Sequence, residues 1–282
     1  MLSPSSPWFY QGTYQGTDPG TIITLDQPVS SQWKILKKLN ERNFQASEEM
    51  CRRHNIHSYA TAKFLCCDPK RPSRKAFMRI YLQIPVKNTE MQDPKIRSRQ
   101  ATQLTANQEL TQKDFSNAPK LLGYKVSAQD KSGLVPNGFA IWLAWEMVPG
   151  LRLGNKLGND PYWILPAVER EHVRVAFMKA LPQAAEKGYA PYVPSLSSLV
   201  WHSKTGTLYV ITCCVLRQTS GLTFSVLFSY FIGYFYGIND NLKDRSNIKI
   251  GPEALVYFDL AKPSGDEWRN KNWNGDTTGW EM

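Results

Sequence analysis

The side chains able to do chemistry are dominated by cations. The 282 residues include 34 Lys and Arg against 24 Asp and Glu, a net charge of +10, which favours anionic partners such as nucleotides, nucleic acid or an acidic membrane surface. The densest basic run, Lys70 to Lys75, reads KRPSRK. With Pro72 and Ser73 inside it and no interleaved aromatic, it reads as a solvated loop; nucleic-acid contact is the alternative, and no specific nucleic-acid site is predicted. Ser73 there suits a basophilic modifying kinase. The five cysteines are Cys51 and the vicinal pairs Cys66-Cys67 and Cys213-Cys214, neither a disulfide framework nor a zinc spacing, so reduced thiols are expected. His54 and His57 have only Cys51 at ligand spacing, too little for a metal site. No G-x-x-x-x-G-K-S/T phosphate loop occurs. The stretch YAPYVPSLSSLVWHSKTGTLYVIT, Tyr189 to Thr212, holds two strand-like runs about a Lys204-Thr205-Gly206 turn, and no carboxylate.

Several elements must position these groups. Residues 1–30 are rich in Ser, Pro, Gly and Gln without periodicity, as a disordered or loosely packed tail would be. QWKILKKLNERNF, from Gln32, fits a strand or a short helix. ATAKFLCC and AFMRIYLQIP alternate and predict an antiparallel hairpin whose loop is the basic run. Arg97 to Lys113 carries Ala101, Leu104 and Leu110 at helical spacing, ended before Ala118-Pro119. KLLGYKVSAQ and GFAIWLAWEM then read as a strand pair, the second apolar nearly throughout, as a strand covered on both faces would be. From Val168 to Gly188, Val173, Phe177, Ala180, Leu181 and Ala184 form a helical stripe, with Pro182 a kink and Gly188 the stop.

The order strands, helix, strands, helix, together with AFMRIYLQIP, SNAPKLLGYK, AIWLAWEMVPGLRLG and the helix plus SLVW and GTLYVI, resembles the kinase-like phosphotransferase fold, most closely a fungal group related to the aminoglycoside phosphotransferases. The resemblance covers roughly Trp33 to Thr212. It implies an α+β, bilobal protein kinase-like fold: an antiparallel-sheet N-lobe with one helix over 31–149, and a mainly helical, truncated C-lobe over 150–282. It also implies ATP and Mg as cofactors and an unknown hydroxyl acceptor. Such enzymes position nucleotide and acceptor and neutralise charge with a lysine, a metal-binding carboxylate and asparagine, and a catalytic aspartate. Laid on that pattern, Arg79 takes the place of the phosphate-holding lysine, a forked and planar group where a point charge is usual. Gln103 takes the place of the glutamate that orients it; Glu109, the alternative, lies about 120° off that helix face. In WEMVPG the backbone of Glu146 to Val148 would meet an adenine ring, although the run is also read as a plain central strand. The loop meant to cover the phosphates, NERNFQASEE, has no glycine.

The acids fail at Tyr189 to Thr212. Counting back from Leu199-Val200-Trp201 puts Ser198 at the asparagine position and Val193 at the catalytic-aspartate position, while the strand that should end in the metal-binding aspartate ends in Thr212. Loss of a general base alone typically forfeits about 10²- to 10⁴-fold in rate. The scaffold therefore reads as a pseudokinase acting as a binding module, with an active enzyme of non-standard residues as the alternative. LVYFDLAKP, from Leu255, resembles a second copy of the strand and its aspartate, which makes Asp259 the candidate metal carboxylate. The apolar insert at about 213–256 is charge-free from Gln218 to Asn239, the lower limit for a membrane span. It is read as a transmembrane anchor of a non-kinase protein, a buried insert, or sequence never selected to fold here. The N-terminus shows no secretory pattern, so a cytoplasmic location is expected.

Overall fold

The computed structural model describes residues 8–9, 16–54, 57–87, 102–155, 160–186, 189–191, 194–211, 213–215, 250–270 and 273–282. It divides into two compact units, residues 1–108 with 120–147, and 109–119 with 148–282.

The first unit is a six-stranded antiparallel sheet in the order β1-β2-β3-β4-β6-β5. Its strands are β1 (Ile22–Leu25), β2 (Ser31–Phe44), β3 (Tyr59–Asp68), β4 (Arg71–Gln83), β5 (Leu121–Ala128) and β6 (Phe139–Glu146). Helix α1 (Glu48–His54) joins β2 to β3, and α2 (Thr102–Gln112) lies between β4 and β5 in sequence. Alternation in β3 and β4 sends Ala62, Phe64, Cys66, Met78, Ile80 and Leu82 to one face, where they pack with Leu25, Trp33 and Ile35 from β1 and β2. The sheet curls round this core and meets itself. The Gln27 amide donates to the Tyr124 carbonyl at 3.0 Å, and the Tyr124 amide to the Gln27 carbonyl at 2.8 Å. Gly123 lets the two ends approach: a Cβ there would lie 2.8 Å from Ser31 Oγ and 3.2 Å from Leu25 Cδ1. On the outer face, Leu104 of α2 packs with Phe139, Ile141, Leu143 and Trp145.

The second unit holds α3 (Pro161–Ile164), α4 (Ala167–Glu186), α5 (Glu253–Tyr257), the strands β7 (Leu151–Arg152), β9 (Leu199–His202) and β10 (Thr207–Val210) in one sheet, and β8 (Tyr189–Pro191) paired with β11 (Cys213–Val215). Helix α4 turns Val173, Phe177, Ala180, Leu181 and Ala184 inward and accommodates Pro182. Phe177 meets Phe258 with ring centroids 4.7 Å apart.

The α+β class and the antiparallel-sheet first unit are those expected from the sequence. Three local readings change and one open reading is settled. Residues 1–30 do not all form a loose tail: Ile22–Leu25 pairs with Ser31–Lys34 of β2, Leu25 is fully buried, and Phe9 reaches the core at 4 % exposure. A four-residue strand is too short to show periodicity in so polar a context. The Trp33 segment, whose sequence fits either a strand or a short helix, is the strand β2. The basic run is not the loop of its hairpin, because Asp68 pairs with Arg71 and β4 begins there. LVYFDLAKP is not a second strand, because Glu253–Tyr257 is helical, begun by Pro252 and by Glu253 in its first turn. Residues 216–249 of the apolar insert lie outside the described residues. Among the described residues no helix is long and apolar enough to cross a membrane.

Candidate functional site

In the first unit the site is built on the outer face of the sheet. Arg79 stands on β4 between Met78 and Ile80, which point into the core, so its own side chain points outward. Register then supplies a neighbour that the sequence did not single out, because Lys63 of β3 is directly opposite Arg79. Opposed residues share a face, with Cβ atoms about 4.5–5.5 Å apart. Lys63 Nζ lies 3.8 Å from the centre of the Phe77 ring and 5.5 Å from that of Trp145, and Arg79 Cζ lies 5.8 Å from the Trp145 ring. The point-charge ammonium missing from the Arg79 position is thus present one strand away. Its only trace in the sequence was a lysine at an outward position of ATAKFLCC, and that carries meaning only once the pairing is known.

Gln103 lies in α2, and its side chain is outside the described residues. Glu146 ends β6, where its amide donates to the Lys120 carbonyl at 2.9 Å and its carboxylate accepts from the Lys120 amide at 3.3 Å. That backbone donor is therefore engaged within the sheet rather than offered to a base. Val148, half-buried, begins the second of the two stretches that make up the second unit.

In the second unit the stretch around Ser198 is tightly built. The β9–β10 hairpin turns at Gly206, which has a left-handed φ of 62°. Trp201 Nε1 donates to Glu169 Oε1 of α4 at 2.8 Å. The glycines of PGLRLG allow backbone to lie against this hairpin: a Cβ on Gly150 would come within 2.3 Å of the Trp201 carbonyl oxygen, and one on Gly154 within 2.4 Å of the Ser197 nitrogen. Ser198 is 2 % exposed. Its hydroxyl donates to the Ser195 carbonyl at 2.7 Å, its amide donates to the same carbonyl at 3.0 Å, and its own carbonyl accepts from the Ile211 amide at 2.9 Å. Val193 and Thr212 lie outside the described residues.

Asp259 follows α5 as a left-handed cap with φ 58°. The Leu260 amide donates to the Leu255 carbonyl at 2.8 Å and the Asp259 amide to the Val256 carbonyl at 3.0 Å, the paired bonds of a Schellman helix end, with an aspartate where glycine is usual. Loss of hydration on its protein-facing side, and then the nearby Asp160 carboxylate, push the Asp259 carboxyl above the ordinary carboxylate range. Asp160 itself accepts from the Asn155 amide at 2.8 Å. Tyr162 holds the adjoining backbone: its hydroxyl donates to the Leu260 carbonyl at 2.8 Å and accepts from Arg174 Nη1 at 2.8 Å.

Two outward cations in an aromatic setting fit an anionic phosphate chain. At the position expected for a metal-binding asparagine, the Ser198 hydroxyl is buried and committed to the Ser195 carbonyl.

No family profile matches the chain, and no curated protein does. Among solved structures it is similar to vaccinia related kinase 3, at 15% identity and a TM-score of 0.35 over 70% of this chain and 51% of that one. It is also similar to the Cydia pomonella granulovirus kinase PK-1, at 16% identity and a TM-score of 0.36 over 63% of this chain and 52% of that one. The chain thus spans about half the length of the two kinases.

Proposed function

We propose that the protein is a kinase-like module of the aminoglycoside phosphotransferase type, cytosolic, that holds a nucleotide and is impaired in phosphoryl transfer. The observation that carries this reading is the state of Ser198. At the position of a metal-binding asparagine stands a shorter side chain, 2 % exposed, whose hydroxyl is spent on the Ser195 carbonyl. Transfer of a phosphoryl group relies on metal and cations to neutralise developing charge, and Val193 at the catalytic-aspartate position brings no base. What stays useful is binding. Arg79, with Lys63 beside it, would hold the phosphates; Gln103 would accept a single hydrogen bond; the chain from Glu146 to Val148 would flank the base.

A second reading, a live enzyme acting on an unknown hydroxyl acceptor, is favoured by one feature. Asp259 carries a carboxyl with Asp160 close by, and a divalent cation relieves such like-charge repulsion. ATP would then supply the phosphoryl group and magnesium the charge neutralisation.

Thermal-shift titration with Mg-ATP tests the shared part, because a nucleotide that binds only the folded state raises the melting temperature. A flat titration overturns both readings. ATPase rates of wild type and Asp259→Asn then separate them: equal background rates are expected for an impaired module, and a fall in the variant identifies the live enzyme.

A further inference from the structure

Strand register gives the outer face of the first unit a character that the linear sequence hides. Across β2, β3 and β4 the positions in register on this side form five rows, Lys34–Cys67–Lys75, Lys37–Leu65–Phe77, Asn40–Lys63–Arg79, Arg42–Thr61–Tyr81 and Phe44–Tyr59–Gln83, of which Cys67 and Gln83 are buried. Six of these fifteen positions are Lys or Arg and none is Asp or Glu. The acids of these strands lie elsewhere. Glu41 is bonded to Lys38 and to the amides of Trp8 and Phe9, and Asp68 at the hairpin turn is paired with Arg71 and Arg74. The basic run alone has no aromatic within it, yet once the strands are paired the cations interleave with rings. Phe44 and Tyr59 have centroids 6.0 Å apart, Tyr59 and Tyr81 6.4 Å, and Phe44 and Tyr59 are 36% and 38% exposed.

We propose that this face binds single-stranded nucleic acid without sequence preference. The cations suit a phosphate backbone, and rings spaced along the sheet suit unpaired bases, which have faces free to stack, whereas a duplex keeps its bases stacked on one another. A sulfated polysaccharide or an anionic membrane would use the charge and ignore the rings. Lys63 and Arg79 belong to this face and to the nucleotide reading alike, whereas the four positions varied below are not among the nucleotide-holding residues, so the Mg-ATP thermal shift and the oligonucleotide test fail separately.

The test is fluorescence anisotropy of the full chain with a labelled oligothymidylate about 20 nucleotides long, longer than the roughly 4–16 that one small barrel covers. Binding is expected to weaken as salt rises, with a logarithmic slope of about 0.7 for each phosphate contacted. Tyr59→Ala and Phe44→Ala should each weaken binding at least about five-fold with little change in slope, and Lys37→Ala and Arg42→Ala should each lower the slope by about 0.7. All four side chains lie on the outer face, and circular dichroism melts verify that each variant is folded. Three results overturn the proposal: no binding at low salt, competition by duplex or heparin as effective as by single strands, or folded Tyr59→Ala and Phe44→Ala variants that bind as wild type does.

Discussion

Tyr162 and Leu260, 98 residues apart in the chain, are joined by a 2.8 Å hydrogen bond from the phenol to the carbonyl, and Arg174 donates to the same phenol at 2.8 Å. Tyr162 is fully buried and Arg174 is 6 % exposed. Arg174 is in turn held by Glu171 through bonds of 2.6 and 3.1 Å. The phenol is thus a buried junction that fixes the backbone immediately after Asp259.

Tyr162→Phe keeps the ring and removes the junction. It leaves a carbonyl and one guanidinium N–H without their partner, which costs about 1–3 kcal/mol. Urea denaturation should show a lower midpoint with an unchanged slope.

Closure of the first unit's sheet depends on Gly123. In Gly123→Ala the new methyl would lie 2.8 Å from Ser31 Oγ and 3.2 Å from Leu25 Cδ1, and overpacking of this kind costs about 1–3 kcal/mol. Hydrogen exchange should report the loss first at the Gln27 and Tyr124 amides, which bridge the closure.

Asp259 predicts a pH dependence. Its folded carboxyl holds a proton to higher pH than the ordinary 3.8, so above 3.8 the folded state binds more protons than the unfolded one. Stability therefore falls as pH rises through the interval between 3.8 and the raised value. Asp259→Asn removes that loss and keeps a residue tolerant of left-handed backbone. It should raise the melting temperature at neutral pH, with the gain fading below pH 3.8. Asp259→Gly should do at least as well, whereas Asp259→Ala meets a left-handed penalty of about 1–2 kcal/mol. Melting curves between pH 3 and pH 7 check the set.

Cys66 is fully buried, and its thiol is pushed up to about 12 by burial, with Cys67 beside it adding to the shift. Because the thiolate is the nucleophile, iodoacetamide at about pH 8 should leave Cys66 intact in the folded chain and alkylate it in urea. Peptide mass spectrometry reads both outcomes.

What could be read in the sequence depended on how local the cause was. β4 was legible because apolar residues alternate along it, β6 because they run nearly without break where both faces are covered, and the α4 stripe because Val173, Phe177 and Ala184 all turn inward. The strand of Trp33 was settled only by pairing, since Lys34 to Phe44 lies against Tyr59 to Cys67. β1 leaves no trace in the sequence because four residues in a polar stretch carry no period, and the burial of Leu25 comes from partners elsewhere in the chain. Leu255, Val256, Tyr257 and Phe258 suit a pleated surface and so predict a strand, whereas Pro252 and the left-handed Asp259 make them one helical turn, α5. In the candidate site Arg79 was visible as a charge inside an alternating run. Lys63 was not, because its meaning lies in register, and the fate of the Ser198 hydroxyl is a matter of three-dimensional contact.

The reciprocal bonds between Gln27 and Tyr124 have a bearing on solubility. An open sheet ends in rows of unpaired amides and carbonyls that template addition of a neighbour's strand, and closed barrels escape this hazard. By joining the backbone after β1 to β5, the chain withdraws part of both sheet edges from such pairing. A lesion that springs this seam would be felt as aggregation before it was felt as lost ligand binding.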